Sequence, residues 1–210
     1  MAMTSTSSST PDSTAWLTTV PTTHDVFRKV HDWRDQDQVH RSVMWLFPSD
    51  LPGDPAERRA ASRILYRLEP APNSAGYRVL VQAAQPPTTT GLRVTNLSPL
   101  LDALRSGMTL RFRLRTNAVE CAAQSRRPVL TTAFPQWLER RLCPMLTDIH
   151  IIDTRPALYR ARNQPLHTIL VDGQAQIADA AQLCAGLTDG IGKAKAFGCG
   201  LLSIAPLLPG

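Results

Sequence analysis

The chain has 210 residues, 43% of them hydrophobic, and carries 23 basic against 17 acidic side chains for a net charge of +6. That length fits one large domain or two of about 100 residues; the apolar content excludes an unfolded chain, and no run approaches the roughly 18 apolar residues of a membrane span. No basic head followed by an apolar stretch marks a secretory signal, and Cys121, Cys143, Cys184 and Cys199 show no CxxC spacing, so they read as free thiols of a reducing cytoplasm rather than a disulfide frame or zinc site.

In chain order, "MAMTSTSSSTPDSTA" holds nine Ser or Thr and one charge, and residues 1–13 are expected to form a disordered tail. "WLTTV" alternates as a strand does. "DQDQVHRSVMWLFP" shifts to helical spacing with Val39, Val43, Leu46 and Phe47 on one face, Asp35 as N-cap, Gln38 three residues on, and Pro48 as the stop. "RILYRLEP" and "GYRVLVQAAQ" are predicted strands around the turn-rich "APNSAG". A weak helical stretch near residues 96–105 completes this half, whose last strand leaves little trace. The second half repeats the order: a strand around Leu110, Phe112 and Leu114, a helix in "AFPQWLERRLCPML", a hairpin from "DIHIIDTRPALYRAR" and "PLHTILVDGQAQI", a helix in "ADAAQLCAGLTDG" and a last strand in "CGLLSIAP". The pattern β-α-β-β-α-β is the ferredoxin-like unit. Two in tandem predict an α+β fold, with an N-terminal domain over residues 14–104 and a C-terminal domain over 105–210.

Charge divides unevenly between those halves. Residues 1–104 hold ten basic and ten acidic side chains, whereas 105–210 hold thirteen and seven. The excess is that of a polyanion binder, nucleic acid first, or of a solvated arginine-rich surface; composition leaves both open. Two of the three lysines, Lys193 and Lys195, sit among Gly190, Gly192, Gly198 and Gly200 in "GIGKAKAFGCGLLSIAP". A dinucleotide fingerprint beginning at Gly190 needs glycine where Lys195 stands, and it must follow a strand and open a helix. Here a helix leads in and a strand leads out. A Walker A loop needs Gly-Lys before Ser or Thr, and Cys199 follows Gly198. Gly190 reads as the left-handed residue that ends the helix. The remaining glycines and the lysines read as a cradle for backbone phosphates.

That stretch closely resembles the C-terminal glycine-rich loop of the CRISPR-associated endoribonuclease CasE family, the Cascade subunit that processes guide-RNA precursors. "VHRSVMWLFP" resembles the family's histidine-bearing first helix, "YRVLVQAAQPP" its third strand and "RFRLRTNA" the strand opening its second domain. The resemblance implies two tandem ferredoxin-like (RRM-like) folds. It implies metal-independent cleavage of CRISPR precursor RNA at the 3′ base of the repeat stem-loop, the upstream 2′-hydroxyl attacking the phosphate to leave a cyclic phosphate. The implied partners are that stem-loop, the mature guide RNA and other Cascade subunits; no cofactor or metal is implied. An internal nucleophile removes the need for a metal-activated water, and histidine is the natural proton carrier at neutral pH.

By position, His40 matches the family's catalytic histidine; His24, His31, His150 and His167 match no family motif and read as structural. The family often has tyrosine three residues before that histidine, where this chain has Asp37. One helical turn away, its carboxylate either bonds or raises the pKa of the imidazole, or only favours the helix N-terminus. Lys193 and Lys195 are candidates for phosphate contact and catalytic support, with Gly190, Gly192, Gly198 and Gly200 shaping their loop. Arg155, Arg160 and Arg162 lie on the hairpin that in the family enters the groove of the RNA stem, the last two on one strand face. Arg111, Arg113 and Arg115 share a face and are either phosphate contacts or solvated; Tyr159 is a base-stacking or a core residue. The alternative to an enzyme is a non-catalytic RNA-hairpin-binding module on the same fold.

Overall fold

The computed structural model describes residues 14–54, 57–70, 76–122 and 125–207; the tail expected over 1–13 lies outside them. The first sheet takes β1 (Trp16–Pro21), β2 (Leu65–Pro70), β3 (Tyr77–Ala83) and β4 (Val94–Asn96), with α1 (Gln36–Met44) and the short α2 (Arg58–Ala61) between β1 and β2. Then come α3 (Ser98–Ala103), β5 (Thr109–Thr116), the small hairpin β6 (Val119–Ala122) and β7 (Ser125–Pro128), α4 (Phe134–Leu142), β8 (Leu146–Ala161), β9 (Gln164–Ile177), α5 (Ala180–Asp189) and β10 (Leu202–Pro206). The sheets run β2-β3-β1-β4 and β10-β5-β9-β8, antiparallel throughout. Each has the ferredoxin-like order, with the unit's first and third strands central. Among the described residues no helix is long and apolar enough to cross a membrane.

The second unit is complete, and Leu110, Phe112 and Leu114 point inward from β5 as their alternation requires. The first unit departs from the expected pattern. No helix joins β3 to β4, β4 is three residues long, and α3 follows β4 rather than preceding it. The expected grouping of α3 with the first half also fails in packing terms, because Leu101 and Leu104 are buried in the second domain's core.

Strand β2 carries the join between domains. Tyr66 and Leu68 face the first core, while Arg67, 1% exposed, points the other way. Its guanidinium donates to Glu69 Oε1 at 2.7 and 2.9 Å, to the carbonyls of Leu201 (2.7 Å) and Arg113 (3.1 Å), and to Ser203 Oγ (2.8 Å). Arg115 Nη2 donates to Leu68 O at 3.0 Å, and Nη1 to Tyr159 Oη; Arg113 meets Asp172 at 2.5 Å and Glu69 at 3.7 Å. Both open readings of the β5 arginines therefore give way beyond Arg111: from Arg113 onward that face lies against the first domain. Tyr159 packs at the edge of the first core, with Arg115 over its ring.

Candidate active site

Helix α1 begins where Asp35 Oδ1 accepts from the amides of Asp37 (3.1 Å) and Gln38 (3.4 Å), while Gln38 Nε2 returns to Asp35 Oδ2 at 3.0 Å. Val39 and Val43 are fully buried, which sets His40 at the edge of the packed stripe. Its imidazole opens on a cleft of about 490 Å³, lined also by Trp45, Ser49, Arg58 and Arg59 and, among the described residues, by no carboxylate. Burial pushes the His40 pKa below its usual value; Arg59 pushes the same way, Asp37 opposes, and Arg41 adds a further lowering. Its Nδ1 is buried and finds no hydrogen-bond partner among the described residues. Of the other histidines, His24 Nδ1 accepts from Val26 N–H and caps a 3-10 turn, and His150 and His167 lie in β8 and β9.

The glycine loop meets α1 from the second domain. Phe197 lies 6.4 Å from His40 between ring centroids, and the Arg162 guanidinium lies 5.5 Å from the Phe197 ring. Tyr66 Oη, fully buried, stands within reach of Ala196 O (3.1 Å), Gln36 Oε1 (3.2 Å) and Gln36 O (3.3 Å), one proton shared among acceptors on both domains. Lys195 Nζ donates to Asp189 O at 2.8 Å and so caps α5. Burial and the nearby Arg59 lower its pKa, against Asp189.

Gly190, Gly198 and Gly200 serve this packing, whereas a side chain at Gly192 would meet only Thr116, at 3.9 Å. Gly190 ends α5 with φ 76° and ψ 160°, outside the expected left-handed helical region and in conformations open essentially to glycine. A Cβ there would lie 2.7 Å from Leu65 Cδ2; at Gly198 it would lie 3.0 Å from Gln36 Oε1. Several loop amides are already bonded within the protein, Ile191 N–H to Gly200 O and Gly200 N–H to Arg115 O, both at 2.8 Å. Gly200→Ala should be the costliest of these changes. Its φ of +86° costs a side chain about 1–2 kcal/mol, and the Cβ would meet Ile191 O at 2.7 Å, a backbone atom that cannot swing away. A thermal melt should fall by at least roughly 2–8 °C; an unchanged melt would contradict this account of the loop.

Ala194, left-handed at φ 59°, turns the chain so that the two lysines part. Lys195 reaches back to Asp189 and stands near Arg59; Lys193 lines a second cleft of about 470 Å³ with Asn117, Glu120, Trp137, Arg140, Arg141 and Gly192, Arg140 pairing with Glu120 at 3.5 Å. Arg140 and Arg141 went unnoticed in the sequence, though their adjacency near the end of α4 was the available signal. Arg59 was missed too, since nothing in sequence links it to His40.

Asp37 fits neither expectation fully. Its Oδ2 accepts from the Arg162 backbone N–H at 2.5 Å, so it fastens the β8–β9 turn to α1 while acting on His40 only through space. Arg162 (φ 50°) and Asn163 (φ 57°) form a tight turn between paired Ala161 and Gln164; Arg162 therefore does not share a strand face with Arg160. Arg160 pairs with Asp32 at 3.1 Å and Asp35 at 3.7 Å, and its N–H bonds Arg34 O. Arg155 pairs with Asp153 at 3.0 Å and with Asp172. Both arginines keep about half of their surface exposed (54% and 46%), which leaves them open to a second anion.

Fold and cleft together define a tandem ferredoxin-like protein with a histidine in a cationic cleft, the second domain's glycine loop packed on the histidine's helix. A family model described as CRISPR associated protein matches residues 15–206, and the chain belongs to that family. It is 32% identical over 169 residues to a Thermus thermophilus protein named CRISPR-associated endoribonuclease Cse3, covering 69% of this chain and 80% of that one. It is 32% identical over 122 residues to the Escherichia coli K12 protein named CRISPR system Cascade subunit CasE, covering 50% of this chain and 61% of that protein's length. Among solved structures it resembles Thermus thermophilus Cse3 bound to an RNA representing a pre-cleavage complex, at TM-score 0.71 and 29% identity, covering 91% of this chain and 99% of that one. Escherichia coli Cas6e matches at TM-score 0.65 and 27% identity, covering 91% and 100%. The resemblance to the CasE family is borne out.

Proposed function

We propose that the protein is an endoribonuclease that cuts CRISPR precursor RNA at the 3′ base of the repeat stem-loop and stays on the mature guide RNA as a Cascade subunit in the cytoplasm. The observation that carries this reading is that His40 shares a cleft with Arg59 and lies 6.4 Å from Phe197, on the loop that also carries Lys195 close to Arg59, together with the likeness to Cse3 bound to RNA. The 2′-oxygen attacks phosphorus as His40 removes its proton. The bond to the 5′-oxygen breaks, that oxygen takes up a proton, and a 2′,3′-cyclic phosphate is left. Arg59 and Lys195 balance the extra phosphate charge. Lys193 with Arg140 and Arg141 grips stem phosphates, since A-form RNA is read mainly by shape and backbone; Arg155, Arg160 and Arg162 extend that surface along the β8–β9 hairpin.

The reaction needs no metal because the nucleophile belongs to the RNA. Cleavage of the cognate repeat hairpin should persist in EDTA, leave a cyclic phosphate, and stop when the nucleotide before the cut lacks its 2′-hydroxyl. Metal dependence or a cut in the 2′-deoxy RNA would overturn the reading. One observation favours the non-catalytic module instead: among the described residues His40 Nδ1 has no partner to orient the ring, and binding without cleavage under any condition would establish it.

The pH profile is a sharper check on the cleft. A base works when unprotonated, so single-turnover rate should rise with pH through a midpoint below the ordinary histidine value of about 6.5. Removing the neighbouring guanidinium in Arg59→Gln should move that midpoint upward; a midpoint that stays put would separate Arg59 from the imidazole.

A further inference from the structure

Trp45 follows α1 and leaves 56% of its surface exposed, whereas Trp137 is buried and Trp16 and Trp33 are partly covered. Burying an indole removes about 150–250 Å² from water, so a tryptophan left outside is one the fold does not use for its own core. This one lines the His40 cleft beside Arg58 and Arg59. Lys29 Nζ sits 4.7 Å from its ring centroid, and Arg41 is exposed one turn earlier on α1. Arg58 is held by Ser49 O at 2.7 Å, with its Nε buried and, among the described residues, unpartnered. An aromatic face among cations, with no carboxylate among the described residues that line the cleft, is the arrangement that holds single-stranded nucleic acid: a base stacks and the adjacent phosphates meet the positive groups.

We infer that Trp45, with Lys29, Arg58 and Arg59, is a subsite for one unpaired nucleotide of the RNA next to the phosphodiester at His40. This rests on the proposed ribonuclease reading and adds to it a contact that tolerates any base, because every base has a stacking face. The stem is held by the second domain's cations; the subsite holds the strand where it leaves the stem.

The test uses full-length protein and a cognate hairpin made non-cleavable by one 2′-deoxy nucleotide, with or without its unpaired flanks. Flanked RNA should quench tryptophan fluorescence, and the quench should vanish in Trp45→Ala. Affinity for flanked RNA should fall roughly ten- to a hundredfold in Trp45→Ala, with affinity for the trimmed stem unchanged. If Trp45→Ala folds poorly, wild-type protein carries the test: an abasic nucleotide beside the cut should lose affinity to the same degree, and Trp45→Phe should lose much less. Equal losses on flanked and trimmed RNA, or no loss, would overturn the subsite. Its failure is distinct from that of the ribonuclease reading, which is judged by cleavage rather than by binding of an uncuttable RNA.

Discussion

His40→Ala should slow single-turnover cleavage of the cognate repeat hairpin by about 10²–10⁴-fold, the usual contribution of a positioned acid or base, while hairpin affinity stays close to wild type. The split follows from the geometry. The imidazole is partly buried at the end of a cleft, and burial together with Arg59 keeps it neutral and able to accept a proton. The cations assigned to the stem, Lys193, Arg140 and Arg141, line a different cleft. Binding by gel shift or anisotropy and cleavage by product sizing on the same RNA measure both. A variant that cuts at wild-type rate would remove His40 from the chemistry; one that neither binds nor cuts would show that the residue shapes the RNA surface instead.

Arg67→Ala should be the most destabilising single change at the domain junction, costing about 3–5 kcal/mol, the usual effect of breaking one partner of a buried pair. Arg67 is 1% exposed and joins Glu69 on its own strand to two carbonyls and a hydroxyl of the second domain. Its removal leaves the Glu69 carboxylate with Arg78 at 3.2 Å and Arg113 at 3.7 Å but without its closest cation. At about 2–4 °C per kcal/mol for a chain of this size, the melting temperature should drop by roughly 6–20 °C. The acid limb carries a second signature. Burial alone would raise the Glu69 pKa, and Arg67 chiefly, with Arg113 and Arg78, brings it below the usual carboxylate value. Glu69 therefore adds stability above the unfolded value near 4.3, and this is lost as pH falls through the lower folded value. Without Arg67 that loss should begin at higher pH. Denaturant melts across pH 3–7 read both effects, and a variant as stable as wild type would contradict the interface.

Local signals carried much of this architecture. The stripe of Val39, Val43, Leu46 and Phe47, the Asp35 cap, the alternation of Leu110, Phe112 and Leu114 and the paired strands of both hairpins all rest on neighbours in sequence. What escaped depends on distant contacts. Strand β4 is only three residues long, too short for a periodic signal, and is fixed by pairing with β1. Helix α3 belongs to the second core because Leu101 and Leu104 find their partners there. Arg67 looks like an outward strand position until a second sheet covers it. The carboxylate of Asp37 is engaged by an amide 125 residues away, and the two lysines of one short loop part because Ala194 turns left-handed between them.

In the proposed reaction the first domain's histidine and the second domain's cationic loop act on one phosphodiester. Photo-crosslinking tests it most directly: a non-cleavable repeat RNA carries a 4-thiouridine beside the scissile phosphate, and the attached peptides are mapped. Crosslinks are expected both to residues 36–47 and to residues 190–200. Crosslinks to one segment alone, or to neither, would contradict it.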